Sequence, residues 1–208
     1  MTGQRKWWLI AALAALLCGC ASQGRPTTEP SDTESTSGAV PTNELVGRGM
    51  VLQKRGGAPM LCLGPVAASL PPQCGGPVIR NWKWSEAGHF ASAGAVMWGS
   101  YEVTGTLAVG EFTQTRRPVP STDAPPAEVS STTEAPGNGK EMQLLLLQTE
   151  LTSLRGQPIL RSGAENGYLV IDVVYDDGSL QRELDSKYGP RIILIRSALK
   201  PLGGSPAS

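Results

Sequence analysis

Few residues in this chain could do covalent chemistry. The single histidine, His89, lies in Glu86-Ala87-Gly88-His89-Phe90. Base or metal work would need a carboxylate or second imidazole at ligand spacing, and none stands there, so the expectation is an exposed loop residue. Asp176-Asp177-Gly178-Ser179 could ligate a cation, but no later glutamate completes a calcium loop. The same four residues before an apolar run are what a turn and a helix cap require. Cys62 and Cys74 stand twelve apart in a Pro/Gly-rich stretch, and two thiols with one distant imidazole do not complete a four-ligand zinc shell. The chain carries no G-x-S-x-G, no G-x-x-x-x-G-K and no H-E-x-x-H. The inventory implies no catalytic set, no metal site and no cofactor.

The aromatic residues are the remaining candidates. In Asn81-Trp82-Lys83-Trp84 the two tryptophans share a face if the stretch is a strand. With Trp98 and Tyr101 they suit either a barrel core or a platform that stacks on a sugar or grips a peptide.

Whether the thiols pair depends on the compartment, which the amino terminus addresses. Arg5 and Lys6 precede an apolar run from Trp7 to Leu17, too short for a mature membrane span and suited to an export signal. The run closes on Leu17-Cys18-Gly19-Cys20, which resembles the bacterial lipobox. That resemblance implies acylation of Cys20, palmitate included, and cleavage of the Gly19-Cys20 bond. The chain would then begin at Cys20, anchored by lipid on the extracytoplasmic face of the cell membrane. Cys18 leaves with the signal peptide, Cys20 carries lipid, and in an oxidising compartment Cys62 and Cys74 read as one disulfide.

Composition bounds the rest. Of 208 residues 40% are hydrophobic and 5% aromatic, enough for one or two small cores. Eighteen basic residues balance eighteen acidic ones, which removes the field that would recruit nucleic acid. Residues 1–19 are read as signal peptide and 20–44 as a disordered Ser/Thr/Pro/Glu stalk; a second tract of that kind, 116–140, separates two segments.

The first segment, 45–115, has β-like runs at Met50 to Gln53, Pro59 to Leu63, Pro77 to Trp84 and Tyr101 to Phe112. Tyr101, Val103, Leu107 and Val109 alternate with polar or small residues, as in a strand with one wet face. The expectation is a small antiparallel β-barrel, OB-like in form, or a sandwich. The second segment, 141–208, is read as α-β-α-β within an overall α+β fold. Leu144, Leu147, Leu151 and Leu154 mark one helical face, and Tyr168 to Tyr175 reads as a strand. Leu180, Leu184 and Tyr188 mark a second helix ended by Gly189-Pro190, and Arg191 to Ser197 a second strand, parallel to the first.

Met60-Leu61-Cys62-Leu63-Gly64, Pro71-Pro72-Gln73-Cys74-Gly75-Gly76, Asn81-Trp82-Lys83-Trp84 and Tyr175-Asp176-Asp177-Gly178-Ser179-Leu180-Gln181 through Tyr188-Gly189 resemble a pattern in uncharacterised lipoproteins of actinobacteria. The resemblance supports the address and the cysteine pairing and lends no activity. The expectation is a membrane-anchored, non-catalytic binding module of the cell envelope whose partner is an envelope protein or a glycan. An envelope hydrolase or an assembly lipoprotein are the alternatives.

Overall fold

The computed structural model describes residues 43–121, 135–152, 154, 156 and 158–203. The expected signal peptide, Cys20, nearly all of the stalk and the middle of the second polar tract, 122–134, lie outside the described residues.

Five strands close a barrel: β1 (Leu45–Lys54), β2 (Met60–Cys62), β3 (Val78–Arg80), β5 (Val96–Ala108) and β6 (Glu111–Gln114), with the short strand β4 (Ala91–Ala93) outside the ring. The ring order is β1-β2-β3-β6-β5, and β5 returns to β1 along its whole length, from Leu45↔Gly105 to Lys54↔Val96. The pairs are antiparallel except β3 with β6, which run parallel from Val78↔Glu111 to Arg80↔Thr113. A purely antiparallel barrel was therefore the wrong expectation, for a geometric reason: strand direction cannot alternate around a ring of five. Outside the parallel pair, Arg80 grips Glu111 through two hydrogen bonds of 2.9 and 2.5 Å.

The period-two pattern explains the lining. On β5, Tyr101 and Val103 are buried while their neighbours are half-exposed, and with Val51, Leu61, Ile79 and Phe112 they fill the barrel. Gly105 belongs to the same face because its Cβ position is taken by the backbone of Thr113 and the ring of Phe112. The Cys62–Cys74 disulfide, Cα atoms 5.7 Å apart, ties the end of β2 to the loop before β3.

Two of the expected strand runs break. Asn81, at φ 62°, turns the chain out of β3, and Trp84 opens a one-turn helix, α1 (Trp84–Ala87). The run Tyr101 to Phe112 folds back at Val109-Gly110, with φ 49° and 76°, so that Ala108 pairs with Glu111. Two consecutive positive φ values are those of the tight hairpin turn that favours Asn-Gly, and a β-branched residue pays for that conformation in steric strain. Val109 is also fully exposed. Replacing Val109 with Asn should raise stability by about 1 kcal/mol, read as a higher urea midpoint with unchanged slope; an unchanged midpoint would show the turn unstrained.

The second segment holds α2 (Glu141–Glu150), β8 (Ile159–Glu165), β9 (Tyr168–Val173), α3 (Ser179–Tyr188) and β10 (Ile193–Ser197). The order is α-β-β-α-β, so the expected α-β-α-β pattern lacked one strand. β9 is central, parallel to β10 as expected and antiparallel to the additional β8. Leu144 and Leu147 of α2 are buried with Leu169, Ile171 and Val173 on one face of this sheet, beside Leu180 and Leu184 of α3; α2 ends at Glu150, short of the helix expected to reach Leu154, and Leu154 joins this core from the chain beyond it. On the other face Asp172 is buried against Arg161 at 2.8 Å, and Glu165 joins Arg161 and Arg196.

The two segments share a core. Val174 and Leu199 are buried among the barrel residues, with Leu160 packed beside them, and β11 (Lys200–Pro201) pairs with β1 at Val46 and Leu45. The ends of the tract 116–140 also belong to the folded body. Strand β7 (Val119–Pro120) pairs with β5, and Gly137 and Gly139 donate hydrogen bonds to the carbonyls of Asn166 and Gly167.

Candidate functional site

The carboxyl ends of the parallel pair β3 and β6 release their chains side by side, and a cleft of about 380 Å³ lies between them. From the β3 side come Asn81, Lys83 and Glu86; from the β6 side come Gln114 and the run Thr115-Arg116-Arg117. α1 positions Lys83 and Glu86 one turn apart, and Lys83 Nζ reaches Glu86 Oε1 at 2.8 Å. Asn81 Nδ2 donates to the Gln114 carbonyl at 3.4 Å and Gln114 Nε2 to the Arg116 carbonyl at 2.8 Å, so the two amides shape the backbone of the cleft.

The two arginines do different work. Arg116 closes a fork on Glu44, Nη2 to Oε2 at 2.6 Å and Nε to Oε2 at 3.1 Å, while Thr115 Oγ1 donates to the other carboxylate oxygen. Glu44 is only 4% exposed, so its charge is compensated where it is held. Arg117 donates from Nε to the Glu86 carbonyl at 3.2 Å and lines the cleft beside that residue.

The hydrogen bonds from Arg116 and then Thr115 hold the Glu44 carboxyl below its ordinary value of about 4.5. A carboxylate so stabilised is a poor proton acceptor for the Thr115 hydroxyl. The same shift sets a pH dependence. The folded pKa lies below the unfolded one, so ionised Glu44 stabilises the fold above pH 4.5, and that contribution fades as pH falls from there through the folded value. Thermal melting should therefore hold from pH 7 to 5 and fall below 4.5. Glu44→Gln should melt lower than the parent at pH 7 and lose less on acidification; equal acid slopes in the two proteins would remove Glu44 as a cause.

The expected site residues lie elsewhere. Trp82 and Trp84 meet edge to face at 5.4 Å, Trp82 meets Tyr101 at 4.9 Å, and Phe90 packs on Trp84 at 5.1 Å. They do not share a strand face, because the chain has left β3 before Trp82. Instead they pack against the barrel core, where Trp84 Nε1 donates to Gln53 at 2.6 Å and Tyr101 Oη to the Gly88 carbonyl at 2.6 Å. Trp98 is half-buried on the outer phase of β5, opposite Leu52 and Ala91. The three tryptophans do not form one platform.

His89 is exposed at φ 48°, and no group of three metal-binding side chains occurs among the described residues. Asp176 accepts from the amides of Leu180 and Gln181, and Asp177 from that of Ser179, the cap role the spacing implied. Ser197 and Lys200 stand at S-x-x-K spacing. They lie on β10 and β11 rather than on one helical turn, and Ser197 Oγ is held by the backbone N–H and carbonyl of Asp176.

Sequence reasoning missed the cleft. Its only local signal was Arg116-Arg117 before Pro118, placed at the head of a polar tract. No helix among the described residues is long and apolar enough to cross a membrane. No family model, no curated protein and no solved structure matches this chain.

Proposed function

We propose that this chain is an extracytoplasmic lipoprotein, held to the cell membrane through acylated Cys20, whose folded body is a non-catalytic binding module of the cell envelope. The barrel is an OB-like module in this reading: a five-strand ring ordered β1-β2-β3-β6-β5, with a helix between its third and fourth strands. The observation that carries the binding reading is the cleft at the ends of β3 and β6. Arg117 offers a charged donor there, two amides shape the walls, Lys83 is shared with the Glu86 carboxylate, and the buried Glu44 carboxylate is committed to Arg116. Such a site holds an anionic group, a glycan or protein carboxylate, while the carboxylates at its edge, Glu44 and Glu86, are each held in an ion pair.

The test pairs address with binding. Intact mass of the protein from its native membrane fraction should show an acylated Cys20 terminus. The same protein should bind soluble, carboxylate-bearing wall glycan fragments saturably, and Arg117→Gln should weaken binding about tenfold to a hundredfold, as expected for a lost charge-assisted hydrogen bond. An unmodified Cys20 would overturn the address. Affinity unchanged in Arg117→Gln would overturn the site, and turnover of the fragments would favour the hydrolase.

A further inference from the structure

The helix α2 has an apolar residue on every side. In Glu141-Met142-Gln143-Leu144-Leu145-Leu146-Leu147, Leu144 and Leu147 are buried under the three-stranded sheet, while Met142, Leu145 and Leu146 remain 69%, 47% and 65% exposed. These three fall at i, i+3 and i+4, so they form one stripe on the solvent side. A helix that is apolar all round is ordinarily covered all round.

In the lipoprotein reading the apolar run Trp7 to Leu17 leaves with the signal peptide, and the segments 20–42, 122–134 and 204–208, outside the described residues, carry no apolar run. A second copy is a poor occupant, because three side chains do not approach the ~800 Å² per partner that a stable interface buries. The tether supplies the third possibility. From Ala21 to Glu44 there are 24 residues, which span at most about 80–85 Å even when fully extended. A body tied to a bilayer within that reach meets its surface at high effective concentration, so a contact too weak to recruit a free protein suffices.

We propose that the Met142-Leu145-Leu146 stripe of α2 rests on the phospholipid bilayer to which Cys20 is anchored, inserting its side chains at the acyl boundary. This rests on the lipoprotein reading above. The ends of the helix carry Lys140 and Glu141 at one side and Glu150, near Lys187, at the other. With no net charge at the stripe the contact is driven by apolar burial, and neither salt nor anionic lipid governs it.

The test uses the full acylated protein reconstituted in phosphatidylcholine vesicles, with and without phosphatidylglycerol. An environment-sensitive dye is placed at Leu146→Cys and, as control, at Ala58→Cys in the exposed turn after β1, each checked for an unchanged melt. Nitroxide-labelled lipid should quench most of the emission at 146 and little at 58, equally in low and high salt and with either lipid. Protein that floats with the vesicles but shows 146 as solvated as 58 would overturn the stripe and leave the anchor standing. Protein that does not float would remove the anchor and this proposal with it. A blue shift at 146 that follows protein density and ignores nitroxide lipid would assign the stripe to self-association and also overturn the proposal.

Discussion

Phe112→Ala should lower stability by about 3–5 kcal/mol, the range for emptying a fully packed aromatic site. Phe112 has no exposed surface, and its ring lies where Gly105 leaves room on the facing strand. It pairs with Leu107 across the β5–β6 hairpin and with Ile79 across the parallel contact, so one side chain touches the two joints that close the ring. For a folded body of this size the loss corresponds to a melting point lower by roughly 6–20 °C. Gly105→Ala tests the same contact from the other side, since the added methyl meets the Thr113 carbonyl backbone, which cannot yield as a side chain can. Phe112→Leu should cost less than Phe112→Ala because it keeps most of the volume. If all three variants melted with the parent, the barrel would be packed around other residues than these.

The parts of this fold that were legible in the sequence were those set by near neighbours along the chain. The alternation on β5 marked its buried face, and the leucines of α2 and the Leu180-Leu184 pair of α3 marked theirs, because a strand or helix turns its residues in a fixed rhythm. The Asp176 and Asp177 caps were legible for the same reason. What was illegible depends on partners distant in sequence. β8 reads Ile-Leu-Arg-Ser-Gly-Ala-Glu, with little alternation of its own, and becomes a strand because β9 supplies the ladder and Asp172 receives Arg161. The parallel joint of β3 and β6 follows from closing a five-membered ring, which no local pattern announces. The cleft is a product of that joint: Lys83 and Arg117 are 34 positions apart and line one cleft because two parallel strands end together. The strand expected to run through Trp84 misled because Asn81 accepts a positive φ, which turned it into a corner; its aromatic pair packs against the barrel core, one of the two readings the sequence left open.

Reducing the Cys62–Cys74 bond, or replacing both cysteines with serine, should cost about 3 kcal/mol, the chain-entropy value for a closed loop of about a dozen residues. The loop is Pro- and Gly-rich and its own pairing is sparse, a single bridge between Ala67 and Gln73, so few other contacts restrict its ends once the cross-link is gone. The position makes the cost structural as well as entropic. Cys62 is fully buried and sits opposite Met50 in the β1–β2 ladder, while the loop it closes leads into β3, which contributes only three residues to the ring. Freed of the bond, β3 would rely on its short pairings with β2 and β6, and the parallel joint under the cleft would open before the long β1–β5 ladder did. Hydrogen exchange on the reduced protein should therefore rise first at Val78–Arg80 and at Glu111–Gln114, with the amides of Val51 and Val103 still protected. A melting point lowered by roughly 6–12 °C with that order of exchange is the expected result. Uniform loss of protection across the ring would instead mean that the bond stabilises only by restricting the unfolded chain, and an unchanged melt would mean that the two thiols are not joined in the protein.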